Sequence, residues 1–157
     1  MNSEKAVRLV LEEYERAIAK FKPHASPLEG YAVLEEEFEE LKAEVFKSPK
    51  KRDAARVRGE LVQVAAMGVR YVTDIGGVPV NAALREVADT YVRIVSVRKR
   101  PFNSLHEGYG YLKAAMGRLW AAIEDGEPIT TQIGWAYHVS ARAVEMLVCL
   151  DEGKEIA

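Results

Sequence analysis

Carboxylates at helical spacing are the side chains of this sequence best suited to chemistry. They are concentrated in one stretch and comprise Glu35, Glu36, Glu37, Glu39, Glu40, Glu44 and Glu60, with Gln63 in the turn after the last of them. So many negative charges on neighbouring helical turns repel one another, and a divalent cation would offset that repulsion. Hard oxygen ligands suit Mg²⁺ or Mn²⁺ better than zinc or copper. The alternative interpretation is an acidic helix face that is simply solvated.

Apolar residues around these carboxylates predict two helices that would position them. One stripe consists of Tyr31, Leu34, Phe38, Leu41 and Val45, and the other of Val57, Leu61, Val64, Gly68, Val72 and Ile75. At about 100° per residue, Glu37 and Glu40 fall on one shoulder of the first stripe. Glu60 and Gln63 fall on the shoulder of the same sense on the second stripe. Because a short loop should make these helices antiparallel, we expect the four side chains to converge.

Proline, glycine and capping residues divide the chain into helices. The first helix is expected to begin with Ser3 as its N-cap and to stop at Pro23. The next two are expected at residues 27–46 and 53–75, and the Gly-Gly-Val-Pro run at 76–79 is the strongest break in the sequence. No segment alternates for long enough to predict a strand, so the predicted fold class is all-α.

The chain after that break resembles the chain before it. Pro23, Ser26, Glu29-Gly30-Tyr31 and Leu34 recur as Pro101, Ser104, Glu107-Gly108-Tyr109 and Leu112. The repeat predicts a helical bundle of two similar three-helix units, residues 1–77 and 78–157, within a single domain. The second unit is degenerate, because the shoulder that matches the acidic one holds Ala115, Arg118, Trp135 and His138. No cation should bind there, and we interpret His138 as a structural side chain.

Composition excludes several classes of protein. With 157 residues, the chain can bury about two thirds of its unfolded surface as one domain. Its net charge of −2 argues against a general nucleic-acid binder. No run approaches the ~20 apolar residues of a membrane span. Because Cys149 is the only cysteine, no internal disulfide can form, and we expect a cytoplasmic protein.

The acidic motifs resemble those of a known superfamily. Glu36-Glu37-Phe38-Glu39-Glu40, followed after a spacer by Glu60-Leu61-Val62-Gln63, is similar to the Glu-Glu-x-x-Glu … Glu-x-x-Asp pattern of the MazG-like all-α nucleoside triphosphate pyrophosphohydrolases. The run from Glu60 to Met67 looks most like the phage and prokaryotic members. The similarity covers residues 24–75. It implies a Mg²⁺ cofactor, a nucleotide substrate, and hydrolysis of a nucleoside triphosphate to a monophosphate and pyrophosphate.

This resemblance also implies roles for individual residues. Glu37, Glu40 and Glu60 match metal ligands, and Glu36 matches the further acidic position that would orient the attacking water. Gln63 stands where the family has aspartate, and its neutral carbonyl is a weaker Mg²⁺ ligand. Substrate phosphates are expected to bind the basic residues at the start of the third helix, namely Arg52, Arg56 and Arg58. The same arginines could instead only balance the glutamate charge.

Two classes of function therefore stay open. The first is a Mg²⁺-dependent pyrophosphohydrolase with one active half, and the second is a non-catalytic nucleotide-binding or assembly module in which Gln63 marks the loss of activity. Base and sugar preference are not readable from the sequence. A homodimer formed through the first half also stays open.

Overall fold

The computed structural model describes residues 1–151, and all regular structure among them is helical. The α-helices are α1 (Ser3–Lys20), α2 (Pro27–Val45), α3 (Ala54–Gly76), α4 (Val80–Arg98), α5 (Leu105–Glu124) and α6 (Ile129–Asp151), and a 3₁₀ turn at Pro49–Lys51 precedes α3. No strand occurs in this range, which confirms the all-α prediction. None of these helices is long and apolar enough to cross a membrane.

Helix boundaries lie close to those predicted, with one correction at the start of the chain. Asn2, and not Ser3, is the N-cap of α1, because its side chain accepts a hydrogen bond of 2.9 Å from the Lys5 backbone N–H. Ser3 is already the first helical residue. Gly77 ends α3 with a φ of 66°, a left-handed conformation that glycine adopts without strain.

Helices α2 and α5 begin in the same way. The Ser26 hydroxyl accepts from the Glu29 N–H at 3.2 Å, and the Glu29 carboxylate accepts from the Ala25 N–H at 2.8 Å. Ser104 and Glu107 form the same reciprocal pair of bonds at the start of α5. Such capping satisfies backbone donors that the first helical turn leaves open. The direction in which α2 leaves its linker is therefore well determined.

Helices α3 and α6 form the centre of the bundle and contact each other most extensively, while α3 also packs against α1 and α2, and α6 against α4 and α5. The Tyr71 hydroxyl of α3 donates to Gln132 Oε1 of α6 at 2.6 Å. Further along, the Ser140 hydroxyl donates to the Ala65 carbonyl at 2.8 Å. This close crossing requires Gly68, because a side-chain carbon there would collide with the Ser140 hydroxyl.

Helix α2 packs into the core through one face, and most of its glutamates lie outside that face. Its buried face contains the predicted stripe of Tyr31, Leu34, Phe38, Leu41 and Val45. Two of these rings contact α5, where Phe38 stacks on Tyr109 with centroids 5.1 Å apart and Tyr31 lies 5.0 Å from Trp120. Aromatic pairs at such distances stabilise beyond the area that they bury. The orientation of α2, and so of its glutamates, is fixed by this packing.

Candidate metal centre

Three carboxylates meet where α2 packs against α3. Glu37 and Glu40 project from α2 and Glu60 from α3, and one oxygen of each lies within 4.8 Å of the others. Oxygens that share one Mg²⁺ lie about 3–4 Å apart, given ligand distances near 2.1 Å. Small side-chain rotations would therefore bring the three oxygens around a single ion. We call these three residues the acidic cluster.

Gln63 links the two helices within the acidic cluster. With its amide nitrogen turned toward the carboxylates, it donates to Glu37 Oε2 at 3.0 Å and to Glu60 Oε2 at 2.8 Å. A neutral donor in this position relieves part of the repulsion between the two carboxylates. To contribute its oxygen to a cation, the amide must rotate and give up both hydrogen bonds. Gln63 therefore suits the metal-free protein better than an aspartate would.

Burial and neighbouring charges oppose the ionisation of two carboxyl groups in the acidic cluster, Glu37 and Glu60. The pKa of Glu37 is raised to about 7, first by burial and then by the charges of Glu40, Glu60 and Glu36. The pKa of Glu60 is raised by burial, by the charges of Glu40 and Glu44, and by a hydrogen bond with Glu40. Carboxylates in such surroundings gain strongly when a divalent cation supplies the missing positive charge. On these grounds the donor set fits Mg²⁺.

A cleft of about 710 Å³ opens beside the acidic cluster, between α1, α2 and α3. Its acidic and amide lining includes Glu36, Glu37 and Gln63. Exposed basic side chains in the lining are Arg16, Lys20 and Lys22, and apolar ones are Val33 and Met67. A ligand that combines phosphate groups with a ring system would match this mixture of charge and apolar surface. Glu36 is exposed and lines the cleft next to the acidic cluster.

Glu13 is a carboxylate of this region that sequence reasoning missed. It lies on the buried face of α1, where it is 9% exposed and paired with Arg16. It lines the cleft, and it also lines a groove between α1 and α3 that contains Gln63 and Arg58. Its position within the apolar stripe of α1 was the signal that could have identified it, because a glutamate is rarely buried unless it has a partner.

A buried network holds the linker between α1 and α2 against the end of α3. Asp74 Oδ2 accepts a hydrogen bond of 3.0 Å from the backbone N–H of His24 and lies 3.4 Å from the Arg70 guanidinium. Arg70 in turn donates to the Lys22 carbonyl at 2.8 Å. Burial, and then the charge of Arg70, lower the pKa of His24, so its imidazole is neutral near pH 7. The network keeps Lys22 at the edge of the cleft.

The arginines predicted to hold phosphate have three different environments. Arg52 donates to two backbone carbonyls at the end of α2 and just beyond it, at 2.9 and 3.1 Å. Arg56 is exposed and lies 3.9 Å from Asp53. Arg58 lines the groove that contains Gln63. Of the three, Arg58 is the one that shares a groove with Gln63, and phosphate binding by all three stays a prediction.

No protein-family model matches this chain, and no curated protein or solved structure matches it significantly. Evidence for a function therefore comes from the residues, from their arrangement and from the resemblance of the acidic motifs.

Proposed function

We propose that this protein is a Mg²⁺-dependent pyrophosphohydrolase, also able to use Mn²⁺, that converts a nucleoside or deoxynucleoside triphosphate into a monophosphate and pyrophosphate. The observation that carries the proposal is the convergence of three carboxylates, with oxygens within 4.8 Å of one another, beside the cleft. The similarity of their spacing to the MazG-like motif supplies the class of reaction.

Each residue of the site has a proposed task. Glu37, Glu40 and Glu60 would hold the ion, and Gln63 would add its amide oxygen after rotation. When bound, Mg²⁺ would neutralise charge on the substrate phosphates. Glu36 would accept a proton from the attacking water while the bond from the water oxygen to the α or β phosphorus forms. The bridging P–O bond between these phosphates would break, so that pyrophosphate leaves after attack at the α phosphorus and the monophosphate leaves after attack at the β phosphorus.

The cleft would position the nucleotide. Arg16, Lys20 and Lys22 are exposed in its lining and would attract the phosphate chain. Phe21 is 56% exposed in the same lining, and the Lys20 ammonium lies 5.3 Å from its ring centre. An exposed ring next to cations offers a stacking surface for a base. Arg58 is our candidate for a further phosphate contact from α3.

We also propose that the bundle consists of two similar three-helix units, of which the first carries the site. Support comes from the matching serine and glutamate caps of α2 and α5 and from the parallel roles of α3 and α6 at the centre. The second unit would take the place that a partner subunit has in a dimer.

One observation favours the alternative of a non-catalytic nucleotide-binding module. Gln63 forms two hydrogen bonds that stabilise the acidic cluster without an ion, as expected of a site that has stopped using metal. In that case nucleotide would bind in the cleft but would not be hydrolysed.

Measurement of pyrophosphate release separates the two functions. Purified protein is incubated with each NTP and dNTP in Mg²⁺, and pyrophosphate is quantified. We expect turnover of at least one nucleotide, its loss in Glu37→Gln and Glu60→Gln, and its retention in Glu39→Gln, a charge-matched change of an exposed residue that pairs with Lys42. Wild type that binds nucleotide but releases no pyrophosphate from any of them would establish the non-catalytic module instead.

A further inference from the structure

Glu13 lies where the cleft beside the acidic cluster meets the groove between α1 and α3. Of the described residues, Glu13, Arg16 and Gln63 line both openings. Val10 and Ala17, one turn before and one turn after Glu13 on the same face of α1, are buried in the core. The packing of α1 against α3 therefore brings the Glu13 carboxylate to the same part of the surface as Gln63.

The burial of this carboxylate is only weakly compensated. Glu13 is 9% exposed, and its Oε2 accepts no hydrogen bond from any residue in the range 1–151. Its ion-pair partner is Arg16, whose side chain is 74% exposed and therefore stabilises the charge little. Buried polar atoms normally have hydrogen-bond partners, and one that has none indicates that a water molecule or an ion completes its environment.

The proposed cation site is neutral on the side that Glu13 shares with it. Glu37, Glu40 and Glu60 bring three carboxylates, whereas Gln63 brings an amide. The affinity of an oxygen site for a hard divalent cation depends on how many of its ligands are charged. A carboxylate that shares both openings with Gln63 therefore adds to the attraction for the ion where the amide does not.

Glu13 is placed to act on the ion through water rather than as a direct ligand. The carboxylates whose oxygens all lie within 4.8 Å of one another are those of the acidic cluster, and Glu13 is not one of them. Mg²⁺ loses its hydration shell reluctantly and usually keeps several waters in a protein site. Carboxylates outside the direct ligand set accept hydrogen bonds from groups on the metal and hold them in place.

We propose that Glu13 is a positioning residue of the metal site, whose carboxylate accepts a hydrogen bond from a water on the ion held by the acidic cluster. This inference rests on the metal site of the proposed function, and it adds α1 to the helices that build that site. Arg16, once Glu13 turns to the water, becomes available to substrate phosphates in the cleft.

Calorimetric titration of the full chain with Mg²⁺, without nucleotide, tests the role of Glu13. Glu13→Gln keeps the shape of the side chain and should weaken Mg²⁺ binding about tenfold, as expected when a partner outside the direct ligand set is lost. Glu12→Gln is the matched control, because this neighbour on α1 is exposed and lines neither opening. Its affinity for Mg²⁺ should equal that of wild type. Circular dichroism checks that each variant keeps its helical content.

A double-mutant cycle with Gln63→Asp separates this role from a structural one. Aspartate at position 63 places a carboxylate directly on the ion, so the contribution of Glu13 becomes largely redundant. In the Gln63→Asp protein, Glu13→Gln should therefore weaken Mg²⁺ binding by less than about twofold. A side chain that only maintains the packing of α1 would cause the same loss in both backgrounds.

Arg16→Gln gives a second test at an exposed residue, where the substitution does not threaten folding. Without its partner, the Glu13 carboxylate is free to turn to the ion, and Mg²⁺ binding should tighten about threefold, in line with the small free energy of an exposed ion pair. In the Glu13→Gln protein, the same change at Arg16 should have a smaller effect.

Wild-type Mg²⁺ affinity in Glu13→Gln, equal losses in the two backgrounds of the cycle, or no Mg²⁺ binding by wild type would overturn the proposal. Because the titration contains no nucleotide, its outcome is independent of turnover. Binding that depends on Glu13 in a protein that releases no pyrophosphate would support this inference and refute the catalytic function. Pyrophosphate release by a protein whose Mg²⁺ affinity does not depend on Glu13 would refute this inference alone.

Discussion

Replacing Glu37 by glutamine should stabilise the metal-free protein at alkaline pH. The pKa of this carboxyl is raised from 4.5 to about 7, first by burial and then by neighbouring negative charges. Below pH 4.5 it is protonated in both the folded and the unfolded chain. Between pH 4.5 and 7 the unfolded chain releases the proton while the folded chain retains it, so the free energy of unfolding falls as pH rises. Above pH 7 the full penalty is present, and the neutral amide of Glu37→Gln avoids it.

The size of the effect follows from the difference between the two pKa values. At 1.36 kcal/mol for each pKa unit, the full penalty is about 3 kcal/mol. Glu37 is only half-buried, and solvent screening reduces the figure to about 1–2 kcal/mol. For a chain of this length the midpoint of thermal unfolding should rise by about 2–8 °C. At pH 5 only about a quarter of the penalty has developed, so the gain should be correspondingly smaller.

Circular dichroism during thermal and urea unfolding measures this gain. Wild type, Glu37→Gln and Glu39→Gln are compared at pH 5 and pH 8 in EDTA, and again at pH 8 with excess Mg²⁺. Glu39 is 56% exposed in its side chain and lies 3.6 Å from Lys42, so its replacement should bring no gain. Mg²⁺ should stabilise wild type, because an ion that binds only the folded state shifts the equilibrium toward it, and should stabilise Glu37→Gln much less. A Glu37→Gln protein that is less stable than wild type at pH 8 in EDTA would refute the reasoning.

Three further predictions follow from the geometry. Gln63→Asp should tighten Mg²⁺ binding about tenfold in titration calorimetry, because it adds a charged ligand. The same change should lower the thermal stability of the metal-free protein, because the two hydrogen bonds of the Gln63 amide are lost. Weaker ion binding would contradict the assigned ligand position. Gly68→Ala should lower the free energy of unfolding, measured in urea, by about 1–3 kcal/mol, because the new methyl group meets the Ser140 hydroxyl. Gly59→Ala, at an open helical position, should be neutral or stabilising. Equal effects of the two changes would argue against the close α3–α6 crossing. Arg58→Gln should raise KM for the nucleotide in steady-state kinetics, and Arg56→Gln should not, because of these two arginines Arg58 lines the groove beside Gln63. A larger increase of KM in Arg56→Gln than in Arg58→Gln would place the phosphate elsewhere.

Local sequence patterns were sufficient to predict the helices and the meeting of the acidic side chains. Proline, glycine and capping residues mark the helix ends, and the error at Ser3 arose because Asn2 can form the same cap one residue earlier. Helical periodicity fixes which side of α2 is buried and so where Glu37 and Glu40 project. Both inferences depend on short-range geometry, which is regular.

Contacts between distant segments were not predictable in the same way. Glu13 reaches the cleft because α1 packs on α3, and the linker is held by Asp74, which lies fifty residues from His24 in sequence. Arg93 joins His138 only through the packing of α4 against α6. The orientation of the Gln63 amide depends on which carboxylates surround it, and that too is decided by tertiary packing.

Binding of Mn²⁺ followed by electron paramagnetic resonance tests the central claim most directly, because the signal of the free ion falls as the protein takes it up. The convergence of Glu37, Glu40 and Glu60 predicts one tightly bound ion per chain, displaced by Mg²⁺, lost in Glu60→Gln and retained in Glu39→Gln. Uptake of the ion by Glu60→Gln with wild-type affinity, or no uptake by wild type, would contradict the claim.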